Sequence, residues 1–190
     1  MDILKRILQS KHTTIGYDSK SELSLIKLIN LIPNRIQFGM DEIVKVDEIE
    51  DFFNSVSYNR NHKLSYLLDG EKEQFIIINF LNIDFDDIDP LKKSKSISNL
   101  VRYLQSTIYT LNNTDSSVNY SLIIISPTYK TQQQSIKGGM SLIENSELYL
   151  RMNDGYLIVE KDRYYNLLES TNLTSELRQI SINHILNENT

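Results

Sequence analysis

The sequence predicts an α/β fold, a mostly parallel sheet flanked by helices, and three observations carry the prediction. Two runs, Phe75–Leu81 and Tyr120–Ser126, are apolar at nearly every position, as strands buried on both faces of a parallel sheet are. Strand-like segments alternate with segments whose apolar residues recur at helical spacing. Two further strand segments, Glu147–Met152 and Tyr156–Arg163, close the pattern. With 190 residues and 40% apolar content the chain can bury one sizeable core. No internal repeat or linker divides it; Asn112–Asn119 is the best loop signal and is too short to separate domains. A single domain over 1–190 is expected, with its core at about 3–165.

The elements follow in order. Ile3, Leu4, Ile7 and Leu8 make a short opening helix, and Thr13–Asp18 reads as a strand ending in a polar turn. Leu23, Ile26, Leu28, Ile29 and Ile32 make a second helix, stopped by Pro33-Asn34. Arg35–Phe38 and Ile43–Val46 are short strands separated by Gly39. Asp47 is the expected N-cap of a third helix, with Glu50 three residues on completing a capping box. After Phe75–Leu81 an acidic loop leads to a long helix from about Ser94 to Leu111, carrying Ile97, Leu100, Val101, Leu104 and Ile108. Ser175–Leu186 is amphipathic and predicts a C-terminal helix at about 174–187.

Composition excludes several function classes. The absence of cysteine removes disulfides and thiolate metal sites. His12, His62 and His184 are too far apart in sequence for metal-ligand spacing. A net charge of −5 argues against strong non-specific DNA binding by the surface as a whole. No apolar run reaches the roughly 18 residues of a membrane span, and the N-terminus is too short in its apolar part for a signal peptide. A cytoplasmic protein is expected, and the asparagine-rich, alanine-poor usage fits an AT-rich genome such as that of a phage or a low-GC bacterium.

The order Tyr120–Ser126, then the polar loop Pro127–Gly139 ending in Gly138-Gly139, then two strands, resembles the second half of a RecA-type ATPase core. Phage recombinases of the UvsX type are the nearest match, and DnaB-type helicase cores share the outline. Thr128-Tyr-Lys-Thr-Gln132 is similar to the loop after the family's sensor strand, and Val159–Arg163 to its basic Lys-x-Arg element. Gly16-Tyr-Asp-Ser-Lys20 is similar to the strand end that follows the P-loop helix, and Phe75–Phe80 to the Walker B strand.

The departures point away from catalysis. A P-loop needs glycines so that backbone amides reach phosphates, and a lysine for the terminal ones; no Gly-x-x-x-x-Gly-Lys-Ser/Thr occurs. On this alignment the chain begins about where the P-loop helix would, and the P-loop strand is absent. Lys20 stands where the family keeps a water-activating glutamate. Asn79 takes the place of the Walker B aspartate, and a neutral amide is a poor partner for Mg²⁺. Pro127 interrupts the polar sensor turn. In RecA-type sheets the P-loop strand lies beside the sensor strand in the sheet interior. Tyr120–Ser126 would therefore lose a neighbour, and either close onto Glu147–Met152 or borrow a strand from a partner.

The resemblance implies a non-catalytic accessory protein of recombination or replication that needs no cofactor. It would act by docking to a homologous ATPase or to itself, with weak single-stranded DNA contact through Tyr129, Lys130, Gln132, Gln133, Lys137, Gly138 and Gly139. A second reading has Lys161 and Arg163 reach across an interface to complete a partner's ATP site. A third is a structural α/β interaction protein with no nucleic-acid role. Lys92, Lys93, Lys95 and Arg102 are a weaker phosphate-contact patch, and Asp84–Asp89 reads as a solvated acidic loop rather than a cation site. The Tyr156, Tyr164, Tyr165 cluster reads as a packed strand edge.

Overall fold

The computed structural model describes residues 3–58, 72–85, 89–114, 118–128, 136, 139–154, 156–163, 169–172, 175 and 178. Strands β1 (His12–Tyr17), β2 (Arg35–Phe38), β4 (Lys72–Asn79), β6 (Val118–Pro127), β7 (Leu148–Asn153), β8 (Tyr156–Asp162) and β9 (Glu169–Asn172) form one sheet. Its order is β2-β4-β6-β1-β7-β8-β9. The first five strands are parallel, and β8 and β9 add antiparallel at one edge. A two-residue parallel pair, β3 (Val44–Lys45) with β5 (Ile83–Asp84), stands apart from the main sheet.

Helices cover both faces. On one side α1 (Ile3–Gln9) and α2 (Glu22–Asn30) bury Ile3, Ile7, Leu25, Leu28 and Ile29 against Ile15, Ile77, Ile123 and Leu150. On the other, α3 (Val46–Tyr58), α4 (Pro90–Thr114) and the short α5 (Met140–Glu144) pack Ile49, Phe53, Leu100, Leu104 and Leu142 against Ile76, Ile78, Leu122 and Ile124. Alternate residues of β4 and β6 thus serve opposite cores, which is why those runs are continuously apolar. Among the described residues no helix is long and apolar enough to cross a membrane.

The winding fixes where a site can lie. From β1 the chain crosses through α2 to β2 at the far edge, then returns through α3, β4 and α4 to β6, beside β1. The connections leaving β1 and β6 therefore run over opposite faces, which makes the crevice beyond the carboxyl ends of these two strands the topological switch point.

Several expectations are corrected here. No position beside β6 is vacant: β6 pairs β4 on one side, and β1 on the other from His12 opposite Leu122 to Tyr17 opposite Pro127. The strand on that second side is the one ending in Tyr17. It is buried along its whole length, as an interior strand must be. Where β6 extends beyond β1, the Asn112 side chain takes over as partner, accepting from the Tyr120 amide at 2.7 Å and donating to the Tyr120 carbonyl at 2.9 Å.

The third helix starts at Val46, and Glu48 rather than Glu50 reaches back, accepting the Lys45 amide at 3.1 Å. The long helix begins four residues before Ser94, at Pro90, a residue suited to a first turn. Strand β9 was not foreseen. Tyr156 is half exposed rather than packed, and Tyr164 and Tyr165 lie outside the described residues. Of the C-terminal helix only Ser175 and Arg178 are described; both are helical, and the Asn172 carboxamide caps the Ser175 amide at 3.1 Å.

Candidate functional site

Beyond the carboxyl ends of β1, β6 and β7 lies a cleft of about 440 Å³, lined by Tyr17, Asp18, Lys20, Pro127, Thr128 and Arg151 among others. It occupies the switch point, where ligands of open α/β sheets bind.

The cleft is built on a short turn between β1 and α2. Asp18 follows the last residue of β1, and its amide donates to the Met152 carbonyl at 3.1 Å, continuing the pairing with β7. Its carboxylate accepts the Ser21 amide at 2.9 Å through Oδ1 and the Asp154 amide at 3.0 Å through Oδ2. The Lys20 ammonium donates to Asp154 Oδ1 at 2.7 Å, both side chains lying well out in solvent. Burial pushes the Asp18 carboxyl up, but the hydrogen bonds from Ser21 and Asp154, with Lys20 nearby, outweigh it and hold the carboxyl below its usual value. The Asp154 carboxylate in turn raises the Lys20 ammonium.

Across the cleft, Tyr17 ends β1 with its ring buried. Burial and the Glu22 carboxylate push its phenol up, against a hydrogen bond with Asn79. Asn79 ends β4, is buried, and accepts the Leu81 amide at 3.1 Å, which starts a turn of 3₁₀ helix over Phe80–Asn82. Its amide is thus engaged in shaping its own strand end. Thr128 clamps the end of β6, donating from both its amide (2.8 Å) and its hydroxyl (3.2 Å) to the Tyr17 carbonyl. On the β7 side Arg151 is ion-paired with Glu160 at 2.5 Å.

Gly16, one residue before Tyr17, is required by close approach. A Cβ there would stand 2.8 Å from Ile136 Cγ2, 3.0 Å from Tyr149 Oη and 3.2 Å from Thr128 Cγ2. Ile136 is fully buried on this spot and forms an antiparallel bridge with Thr128.

The sequence-predicted residues separate in space. Lys20 and Asn79 sit at strand ends on the cleft side; Lys20 follows the central strand β1, not a strand further out, because β1 itself stands beside β6. Tyr129, Lys130, Gln132, Gln133, Lys137 and Gly138 lie outside the described residues. Gly139 has a left-handed φ of 79° and precedes α5, a conformation that favours glycine. Lys161 and Arg163 lie at the opposite, amino-terminal edge, since β8 runs antiparallel to β7. The Lys161 ammonium donates to the carbonyls of Ile143 (3.1 Å) and Glu144 (2.7 Å), capping the C-terminus of α5; Arg163 is exposed. Lys92, Lys93 and Lys95 are exposed on the first turns of α4. Glu147 and Glu160 are engaged separately, with the Lys11 amide and with Arg151.

Sequence reading missed Asp18, Arg151 and Asp154. The available signal was Asp154-Gly155, a hairpin-turn dipeptide between alternating strands that fixes where β7 ends. Among the described residues no group of three or more His, Asp and Glu side chains is placed to hold a metal ion. No protein-family model matches this chain, and no curated protein matches it in sequence.

Proposed function

We propose that this chain is a non-catalytic RecA-like protein that works by assembly with other proteins of recombination or replication. The observation that carries the reading is the occupant of the switch point. There β1 lies beside β6 in the sheet interior, as the P-loop strand lies beside the sensor strand in the RecA family, and the turn to α2 holds Lys20-Ser21 at the helix start. A phosphate would be met at that turn by free amides at a helix N-terminus. Here the Ser21 amide, the Asp154 amide and the Lys20 ammonium are each answered by a carboxylate of the chain itself.

The residues present do not fit a nucleoside triphosphate with Mg²⁺. The Asp18 carboxylate would repel the phosphates from within the turn, and Asn79 offers Mg²⁺ a neutral amide already bound to Leu81. The turn also lacks the glycines that let backbone approach a polyphosphate. No hydrolytic step is assigned. Completion of a partner's ATP site through Lys161 is less favoured, because that ammonium caps α5.

Isothermal titration with Mg-ATP tests the non-catalytic half of the reading, with no heat of binding and no phosphate release expected. Binding tighter than about 0.1 mM, or turnover, overturns it. Sedimentation velocity across a concentration series, alone and with a RecA-type ATPase, tests the assembly half. A monomer at every concentration that sediments independently of the ATPase overturns that half.

A further inference from the structure

We propose a nucleotide-binding site at the amino-terminal edge of the sheet, in which Tyr109 and His12 receive a base and Lys11 and Arg163 meet its phosphate. The nucleotide is either free or one residue of a single strand.

The site is a cleft of about 390 Å³ between α4, the starts of β1 and β6 and the turn before β7, at the other end of β1 from the switch point. That volume falls in the lower part of the range for small-molecule sites, about 300–1,000 Å³. His12 lines it with only 6% of its surface exposed, and its Nε2 has no hydrogen-bond partner among the described residues. A buried polar atom of this kind calls for a partner. Nδ1 is engaged by the Asn145 carbonyl oxygen at 3.0 Å and by the Gln105 carboxamide nitrogen, so Nε2 is the ring nitrogen left for a ligand. Burial keeps the ring neutral, lowering its pKa to about 4.

The rest of the lining has base-recognition chemistry. The Asn119 carboxamide makes no side-chain hydrogen bond among the described residues, and the Asn113 carboxamide uses only its NH₂, toward Tyr109 O. Amide edges of this kind read base edges. Tyr109 is 73% exposed at the same cleft, offering a ring face for stacking. The Lys11 and Arg163 side chains form no ion pair among the described residues, so the lining carries two cations against the single carboxylate of Glu147, in a chain of net charge −5. Unpaired cations beside an exposed ring and accessible amide side chains suit a base with an attached phosphate.

The test titrates the full chain with each deoxynucleoside monophosphate by calorimetry, and with a labelled short oligothymidylate by fluorescence anisotropy. Saturable binding that weakens at least fivefold in Tyr109→Ala and in Arg163→Ala is expected; both side chains are exposed, so the fold is kept. Monophosphates binding as tightly as the oligonucleotide would identify free nucleotide as the ligand, and oligonucleotide binding alone would identify a strand. Binding by neither at concentrations up to about 5 mM overturns the site. So does binding that both substitutions leave intact, or that is lost only in Lys130→Ala/Lys137→Ala. None of these results depends on whether ATP binds at the switch point, so this site and the assembly reading fail separately.

Discussion

The Asp18 carboxylate accepts the Asp154 amide at 3.0 Å, while the Asp154 carboxylate takes the Lys20 ammonium at 2.7 Å. Two turns 136 residues apart thereby brace each other across the mouth of the switch-point cleft. Each carboxylate engages donors that an incoming anion would otherwise meet.

Replacing Asp18 with Asn removes the charge that both amides face. The folded-state pKa is depressed, so its contribution is present above the unfolded aspartate pKa of about 3.9 and is lost as pH falls through the folded value. Asp18 is only partly buried at the cleft mouth, which limits the effect to about 1 kcal/mol, or about 2–4 °C for a chain of this length. Melting curves of Asp18→Asn and the unsubstituted chain are expected to differ at pH 7 and to converge near pH 2.

His12 acts in the same direction, over a higher pH window. Its folded pKa, about 4, lies below the usual 6.5, so between those values the unfolded chain takes up a proton that the folded chain refuses. Stability therefore falls as pH drops from about 6.5 toward 4. In urea unfolding at pH 7, 6 and 5, His12→Gln is expected to flatten that slope, and an equal slope in both proteins would refute the assignment.

Gly16→Ala puts a methyl group 2.8 Å from Ile136 Cγ2, in a well-packed spot. The expected cost is about 1–3 kcal/mol from overpacking. Truncating the neighbour, Ile136→Ala, is expected to cost less in the Gly16→Ala background than alone. A double-mutant cycle by urea unfolding reads this coupling, and strict additivity would show that the two side chains do not meet.

Arg6 and Asp162 form a buried ion pair at 2.8 Å, tying α1 to the end of β8. Breaking it from one side, as in Asp162→Ala, removes the carboxylate that faces a buried guanidinium and is expected to cost about 3–5 kcal/mol. Replacing both with apolar residues, Arg6→Met with Asp162→Leu, is expected to recover most of that loss in equilibrium unfolding.

Much of the fold was legible in the chain. Phe75–Leu81 and Tyr120–Ser126 read as two-sided strands because a parallel interior leaves no polar face. Leu28, Ile29 and, just past its end, Ile32 marked the buried side of α2, but Leu23 and Ile26, read with them, are exposed and Leu25 is buried instead. The position of β1 was not legible. His12-Thr-Thr-Ile-Gly-Tyr17 has only one aliphatic residue, so nothing local says that it stands at the centre of the sheet. The candidate sites suffered more: Asp18 reads as an ordinary turn residue, and Lys161 as an exposed cation, until their partners are known.

By itself, then, the sequence determined the class of the fold, the two-sided burial of its central apolar strands and the absence of a glycine-rich phosphate loop, because these depend on periodicity and residue type along the chain. Strand order, the carboxylates that answer the switch-point donors, and the cleft that joins His12 to Tyr109 and Arg163 were decided only in the tertiary structure. The reason is physical: most of these pairings join residues about 40 to 150 positions apart brought together by crossovers, and such pairings leave no local trace in hydropathy or spacing.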